Sequence, residues 1–572
     1  LLDFTEGIRF DISAIFYVNI PLLILLLLPH NLRVKKTYHK ITNWLFYTVN
    51  IPFLLLNNID IEYFRFTQKR STADFFQIMQ LGNDAKNIIP QYLKDYWPIT
   101  LFSILQIYFL LKIKIIPSKK FAIKLKPISN QIFILFLAVG IFIIAARGGL
   151  QLKPINPINA GEISGSKNTA LILNTPFCIL QSLEHQNLTK KSYFSNLESN
   201  QIYSPLHHFK AGEIQKKNVI ILIMESLSRE FIGSYNDGNG HTPFLDSLIQ
   251  QSLVFENAFA SGLKSIEGLP AITASIPMLM DNPFITSNYS QNDFESIASL
   301  LNNEDYNTSF YHGGFKGTMG FDSYCRRAGF QKYVGLEEYN NLLDFDGTWG
   351  IYDEEFFGFY SDYLQNEKEP FFSTFFSATL HTPYVFPEKY NNKFNKDNAV
   401  HNVVAYSDYA MQTFFRKIKK EPWFQNTIFI ITADHTCGNR FEKKYKTKIG
   451  KYAIPMIIFS GDSSLQGKNT NIVQQIDIMP TVLELLGYNK PFFAFGKSML
   501  SKESWALSYL QNNYYYISDN GILTNKEENY QLFEDWNLTN RLKIKENDLQ
   551  NLKAIKQRYN NAMINNQLIH EN

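Results

Sequence analysis

The chain has 572 residues, more than one compact domain of ~100–200 residues accommodates, and 55 Lys+Arg against 52 Asp+Glu leave a formal charge of +3. That near-balance leaves no electrostatic footprint for nucleic acid. Three cysteines (Cys178, Cys325, Cys437) exclude a disulfide framework, a four-cysteine zinc site and a CxxC redox motif. Mean hydropathy of −0.17 is ordinary, but the apolar residues crowd into the first quarter, and 15% aromatic content suits a chain that meets a bilayer. Leu1 in place of an initiating Met leaves room for an upstream segment.

Four apolar runs come first, at 12–28, 41–56, 97–111 and Ile128–Ala146. Each is slightly short of the ~20 residues that cross a bilayer, and Tyr17, Trp44, Tyr47 and Trp97 can extend them into the interface. Buried core helices of a soluble domain are the alternative, and four such runs within 150 residues, one with Leu22–Leu28 almost unbroken leucine, argue against it. Lys and Arg set the orientation. Arg33, Lys35, Lys36 and Lys40 follow the first run, and Lys112, Lys114, Lys119, Lys120, Lys124 and Lys126 follow the third. Both connections are therefore expected in the cytoplasm, and the intervening loop, with Lys69, Arg70 and Lys86 against Asp60, Glu62, Asp74 and Asp84, on the other side. Four alternating spans place everything after Arg147 outside the cytoplasm, so residues 1–147 are expected to be a transmembrane helical domain and 148–210, rich in Gly, Pro, Ser and Asn, a linker.

From Asn218 the pattern changes to an α/β domain, expected over 211–503. Asn218-Val-Ile-Ile-Leu-Ile-Met224 is a continuous apolar run, as in a strand buried on both faces of a parallel sheet. Thr242-Pro243 opens a helix, with Thr as N-cap and Pro in the first turn. Further strands are expected at 308–311, 371–377, 427–432 and 455–459, and helices at 403–419 and 476–486. Alternation of this kind predicts a mostly parallel sheet with helices on both faces, whose ligands sit beyond the carboxyl ends of its strands. The extension 504–572 is rich in Tyr, Asn and Lys and closes on an amphipathic helix at 542–563.

Polar groups gather where such a site would form. The first strand ends in Glu225-Ser226, the second in His312-Gly-Gly314, the third leads to Thr379-Leu-His381, and the fourth ends in Asp434-His435. Each alone has a bland reading, since a carboxylate after a strand is often a helix cap and an isolated His is often structural. Five at the strand ends of one sheet make a stronger pattern.

Asn218-Val-Ile-Ile-Leu-Ile-Met-Glu-Ser226, Thr242-Pro-Phe-Leu-Asp246, Ala260-Ser-Gly-Leu-Lys-Ser-Ile-Glu-Gly-Leu-Pro-Ala271 and Ala433-Asp-His435 resemble the lipoteichoic acid synthase group of the sulfatase/alkaline phosphatase-like superfamily, over about residues 215–490. The resemblance implies an alkaline phosphatase-like, sulfatase-like sheet preceded by transmembrane helices, and Ser265 at the position of the family's nucleophile, usually Thr. It implies that Glu225, Ser265, Asp434 and His435 hold one divalent metal, with His312 and His381 facing the phosphate and the leaving group. Two carboxylates, an alkoxide and one imidazole favour Mn²⁺ or Mg²⁺ over Zn²⁺, which His435 keeps open. A serine hydroxyl needs such activation, and His381 is the expected general acid for the departing alkoxide. Lys264, beside Ser265, either steadies phosphate charge or is simply solvated.

Two departures bear on activity. Ser265-Ile-Glu-Gly-Leu269 lacks the Pro and Arg of the Cys/Ser-x-Pro-x-Arg motif that sulfatases convert to formylglycine, which argues against sulfate-ester hydrolysis. The family's Trp-Asn-Arg-Asp is matched here by Met319-Gly-Phe-Asp322, without its arginine, so Asp322 and the nearby Arg326 become the expected substrate contacts, with Arg327 following. The expected protein is a multi-pass transferase of a bacterial cytoplasmic (inner) membrane, with its catalytic domain periplasmic or extracellular. It would move phosphoglycerol from phosphatidylglycerol, an anionic phospholipid donor, through a phospho-Ser265 intermediate to a glycan, glycolipid or other acceptor hydroxyl, with no nucleic-acid partner. The rival readings are phosphoethanolamine transfer, phosphodiester hydrolysis, and an inactive lipid- or glycan-binding membrane protein.

Overall fold

The computed structural model describes residues 2–27, 35–67, 70–73, 93–94, 96–115, 127–151, 153–161, 169–183, 188–210, 212–395 and 398–570. They form two compact units, Leu1–Asn187 with Thr286–Gln291, and Leu188–Ile285 with Asn292–Asn572.

The first unit is helical: α1 (Leu2–Val18), α2 (Ile20–Leu27), α3 (Lys36–Thr67), α4 (Trp97–Lys112), α5 (Ile128–Ala146) and α6 (Thr175–Ser182). Four spans were expected. By length and composition one described helix, α5, is long and apolar enough to cross a membrane, and a second span exists if α1 and α2, bent by 64° to each other, count as one. The physical reason lies in the other two runs. Helix α3 runs 32 residues through Pro52 and carries Asn50, Asn57, Asn58, Asp60 and Glu62, while α4 has 16 residues. Those polar groups are satisfied inside the unit. Asn58 Nδ2 donates to Ser103 Oγ (3.0 Å) and Gln106 Oε1 (2.7 Å), Asn50 Nδ2 donates to Asn19 Oδ1 (2.8 Å), and buried Asp60 accepts from the Ser71 N–H (2.8 Å) and Arg70 (3.0 Å). Leu28, Arg33, Lys69, Asp74, Asp84, Lys86, Lys119, Lys120, Lys124 and Lys126, used above to place spans and loops, lie outside the described residues. Inside the stretch expected as a linker, Ile155, Ala160, Ile172, Leu173, Phe177 and Cys178 join Phe10 and Ala14 of α1 in a buried cluster, with Phe177 edge-on to Phe10 at 5.1 Å.

The second unit is built on eight strands: β1 (Asn218–Met224), β2 (Leu253–Phe259), β3 (Asn307–His312), β4 (Lys332–Val334), β5 (Phe371–Phe376), β6 (Thr427–Ala433), β7 (Met456–Ser460) and β8 (Gly467–Gln474). Their order is β4-β3-β5-β1-β6-β7-β2-β8. Every neighbouring pair is parallel except those made by β7, which opposes both β6 and β2. Strands β1, β5, β6 and β7 are buried at every residue, which is why β1 reads as a continuous apolar run. Strands β2, β4 and β8 did not stand out, being short or polar along one side: β8 reads Gly-Lys-Asn-Thr-Asn-Ile-Val-Gln and exposes its first half.

Helices α7 (Pro243–Ile249), α8 (Ser265–Ala274), α9 (Phe321–Arg327), α10 (Asp353–Gln365), α11 (Ala399–Ile418) and α12 (Ile478–Leu485) connect these strands. Thr242 precedes α7 as expected but makes no side-chain cap. The Phe244 and Leu245 N–H groups donate instead to Asp408 of α11, both at 2.9 Å, so a tertiary contact replaces the local one. The extension holds an antiparallel sheet that its composition did not announce, β9 (Trp505–Leu510), β10 (Asn513–Ser518), β11 (Gly521–Lys526), β12 (Asn529–Phe533) and β13 (Arg541–Leu542) in sequential order. Alternation is visible in β9–β10 once Tyr is counted as apolar on one face and polar on the other. Helix α13 (Glu546–Asn565) follows it.

One close approach fixes where α8 sits. A Cβ on Gly268 would lie 2.4 Å from the Asp434 carbonyl oxygen, so α8 packs its backbone directly on the carboxyl end of β6. Gly268→Ala is expected to push the two apart at a cost of about 1–3 kcal/mol, the usual range for overpacking, read as a lower denaturation midpoint with a soluble, folded product.

Candidate active site

The four strand ends named from the sequence converge. Glu225 follows β1 at a sharp turn whose next residue, Ser226, has φ 54°, a left-handed conformation that costs a non-glycine residue roughly 1 kcal/mol. The turn is held because the Ser226 N–H donates to Asp434 Oδ1 (2.8 Å), its hydroxyl donates to Glu225 Oε1 (2.7 Å), and the Glu225 N–H donates to Ser377 Oγ (2.8 Å) beyond β5. Ser265 is the first residue of α8, and its Oγ is 3.3 Å from both Glu225 Oε2 and His435 Nε2. Gln475 clamps the two supporting segments together. Its Nε2 donates to the Ala433 and Asp434 carbonyls (2.7 Å each), and its Oε1 accepts from the Ser261 N–H (2.7 Å).

Glu225, Asp434 and His435 offer ligand atoms that all lie within 4.8 Å of one another. His435 Nδ1 is 2.9 Å from the Thr436 carbonyl. A carbonyl only accepts, so Nδ1 carries a proton, and a ring protonated there alone presents a lone pair at Nε2. That lone pair faces Asp434 Oδ2 at 3.2 Å and Glu225 Oε1 at 3.6 Å. Asp434 Oδ2 is buried and accepts no hydrogen bond. Burial, with Asp434 alongside, pushes the Glu225 carboxyl well above its ordinary range. A buried carboxylate oxygen without a donor and an imidazole lone pair turned toward it form a set that fits a divalent cation.

A cleft of about 310 Å³ opens over this cluster, lined by Ser265, Lys264, His312, His381 and His435 among others. His312, buried between Phe321 and Phe376, has its Nδ1 3.4 Å from the Phe376 carbonyl, and burial lowers its pKa to about 4. It therefore enters neutral-pH chemistry uncharged. His381 is carried on a loop whose Ala378 and Thr379 N–H groups donate to buried Asp353 Oδ1 at 3.0 and 3.2 Å. Lys264 is exposed and stands 3.9 Å from Glu267. Asp322 and Arg326 are not brought to the cleft. Asp322 is buried in the first turn of α9, where Ser323 Oγ is 3.4 Å from its Oδ1, and Arg326 points out to solvent from the same helix. Met319 and Thr318 line the cleft in their place.

Two features escaped the sequence reading. Trp349 lines the cleft with its ring centroid 3.9 Å from that of His381, and its indole N–H donates to the Thr382 carbonyl at 2.8 Å. No local pattern marks it, because its neighbour comes from 32 residues further along. The second was legible as charge: Arg440, Lys443, Lys444, Lys446, Lys448 and Lys451 follow His435 closely, with Glu442 the one carboxylate among them. Arg440 Nη2 donates to Thr436 Oγ1 (2.9 Å), beside the histidine. Among the described residues none of the six makes a salt bridge. Burial and neighbouring cations lower the Lys444 and Lys451 pKa values.

Comparison with known proteins places this arrangement. Residues 217–488 match the family model described as Sulfatase. The lipoteichoic acid synthase-like protein YvgJ of Bacillus subtilis is 24% identical over 341 residues, covering 55% of this chain and 55% of that protein, so the chain spans about half the length of the curated relatives it matches. A crystal structure of an alkaline phosphatase superfamily protein from Vibrio parahaemolyticus superposes with a TM-score of 0.60 at 26% identity, over 67% of this chain and 99% of that one. The lipoteichoic acid synthase LtaP of Listeria monocytogenes shares the fold, with a TM-score of 0.55 at 19% identity over 66% of this chain and 100% of that one. Residues 217–488 are thus similar to the sulfatase family and take the alkaline phosphatase superfamily fold, with lipoteichoic acid synthases among the curated relatives.

Proposed function

We propose that the chain is a membrane-anchored, metal-dependent transferase that moves phosphoglycerol from an anionic phospholipid, phosphatidylglycerol, to a glycan or other acceptor hydroxyl outside the cytoplasm. The observation that carries this reading is Ser265 Oγ at 3.3 Å from both Glu225 and His435, on the rim of a buried set that fits a cation. The similarity to lipoteichoic acid synthases supports the donor and acceptor classes, the unpaired cations from Arg440 to Lys451 suit an anionic substrate, and α5 supplies a helix able to cross a bilayer.

Glu225, Asp434, His435 and Ser265 would hold the metal, Mn²⁺ before Mg²⁺ or Zn²⁺. When bound, it lowers the effective pKa of the serine hydroxyl and stabilises charge on the phosphoryl oxygens. Ser265 Oγ, at the amino end of α8 where the helix dipole favours negative charge, gives up its proton to solvent and attacks phosphorus. The bond to the diacylglycerol oxygen breaks, and His381 donates the proton that this poor leaving group needs. Trp349, in tilted contact with His381 at 3.9 Å between ring centroids, restricts where that ring can turn. His312, neutral and buried with its Nδ1 proton turned to the Phe376 carbonyl, presents the Nε2 lone pair, which can accept a hydrogen bond from a hydroxyl of the donor or acceptor. In the second half an acceptor hydroxyl gives its proton to His381 and attacks the same phosphorus, and Ser265 leaves, recovering its proton from solvent.

Two measurements test this. Intact mass of the full chain with Mn²⁺ and phosphatidylglycerol should show one phosphoglycerol on the wild type, with diacylglycerol released, and neither with Ser265→Ala. An adduct formed only from phosphatidylethanolamine would change the donor. No adduct from either lipid would favour a binding protein. Mn²⁺ at 100 times its Kd should stabilise the fold by about 2.7 kcal/mol, seen as a rise in Tm. Asp434→Asn, which replaces the buried unpartnered oxygen, should weaken Mn²⁺ at least about 10-fold, a loss that even outer-shell changes cause.

A further inference from the structure

Leu342 and Leu343 are adjacent, and 66% and 91% of each is exposed. They are not part of a slack loop. Asp344 Oδ2 accepts from Asn341 Nδ2 (2.8 Å) and from the Tyr339 hydroxyl, and the Asp344 carbonyl accepts from the Tyr352 N–H (2.9 Å). Asp346 Oδ1 accepts from the Thr348 and Trp349 N–H groups at 2.7 Å each and from Gly350 at 3.2 Å. A loop with this many internal hydrogen bonds holds its two leucines in water when nothing covers them. Phe315, 38% exposed on the loop that follows His312, packs edge-on against Phe345 at 5.5 Å and adds to the same apolar tip.

The tip is joined to the cleft. The Ile351 N–H donates to the Gly313 carbonyl at 3.1 Å, and Trp349, six residues after Leu343, lines the cleft against His381. Three side chains fall far short of the ~800 Å² per partner that a stable protein interface needs, whereas shallow insertion at a lipid interface requires only a few Leu, Phe or Trp side chains. A bilayer is at hand for this chain, because α5, apolar from Ile132 onward, is long and apolar enough to cross one.

We infer that Leu342 and Leu343, with Phe315, form a wedge that inserts into the interfacial region of a lipid bilayer and holds the mouth of the Ser265 cleft at the lipid surface. The wedge lets the phosphodiester of a membrane-embedded donor reach Ser265 while its acyl chains stay in the bilayer. This rests on the lipid-donor reading above, and the test separates the two.

Cys178, Cys325 and Cys437 are all buried, so Leu343→Cys in the full chain can be labelled selectively with an environment-sensitive fluorophore and reconstituted into phosphatidylcholine–phosphatidylglycerol vesicles. The expected result is a blue-shifted emission, quenched by lipids that carry a nitroxide high on the acyl chain. Emission typical of water overturns the inference, and so does a blue shift without quenching, which would mean burial against a second copy. This readout does not depend on activity and stands if the donor reading fails. In parallel, Leu342→Ser combined with Leu343→Ser should lower turnover of vesicle-embedded phosphatidylglycerol about 10-fold and leave turnover of a water-soluble phosphodiester, bis(p-nitrophenyl) phosphate, unchanged. Equal losses on both substrates overturn the wedge as a docking element.

Discussion

Glu225 and Asp434 are buried within one cluster, and among the described residues no Lys or Arg forms a salt bridge with either; the one basic partner is the ring of His435. In a desolvated setting two such carboxylates cannot both ionise without a compensating positive charge. The surroundings do not relieve this by distance. They enforce it, through the left-handed turn at Ser226, the donation from Ser226 N–H to Asp434, and the Gln475 clamp on the end of β6. The backbone strain and buried hydrogen bonds that hold these two carboxyl groups together build a site that suits a cation. Ser265 and the cleft open directly onto that site.

The same logic explains why the sheet is mostly parallel. Parallel strands deliver their carboxyl ends to one edge, so β1, β3, β5 and β6 bring Glu225, His312, the His381 loop and Asp434-His435 to one place from positions more than 200 residues apart. The interiors of β1 and β6 are mostly apolar on the way, whereas β3 and β5 bury Ser309 and Ser373, whose hydroxyls hydrogen-bond each other at 3.0 Å. The helical unit follows a different rule. Its polar side chains are matched to one another, as in Asn19–Asn50 and Asn58–Ser103, which is how polar groups are tolerated between helices in an apolar medium.

Much of the site was legible in the sequence because its residues sit at the ends of strands that announce themselves. Glu225, Asp434 and His435 each follow a continuous apolar run, and the chemistry of those residue types narrows what such ends can do. Helix α11 and helix α13 showed through their periodicity, with boundaries a few residues away from those expected. What failed had physical causes. Strand β8 hid behind polar residues on its exposed half, the C-terminal sheet hid behind tyrosines, and two of the four apolar runs belong to helices too polar or too short to qualify as spans. Asp322 and Arg326 lay near the right segment, but α9 turns one into the core and the other into solvent.

By itself the sequence determined that an apolar helical part precedes an α/β domain, that carboxylates and histidines end its strands, and that Ser265 stands in a motif of the lipoteichoic acid synthase kind. These follow from hydrophobic periodicity and residue chemistry, which are local. Only the tertiary structure decided that Ser265 meets Glu225 and His435 at 3.3 Å, that Asp434 keeps one oxygen without a donor, that Trp349 packs against His381, and that Leu342 and Leu343 stand clear of the core. Contacts between residues far apart in the chain depend on how closely segments can approach. Gly268 against the Asp434 carbonyl shows that such an approach can turn on the absence of a single Cβ.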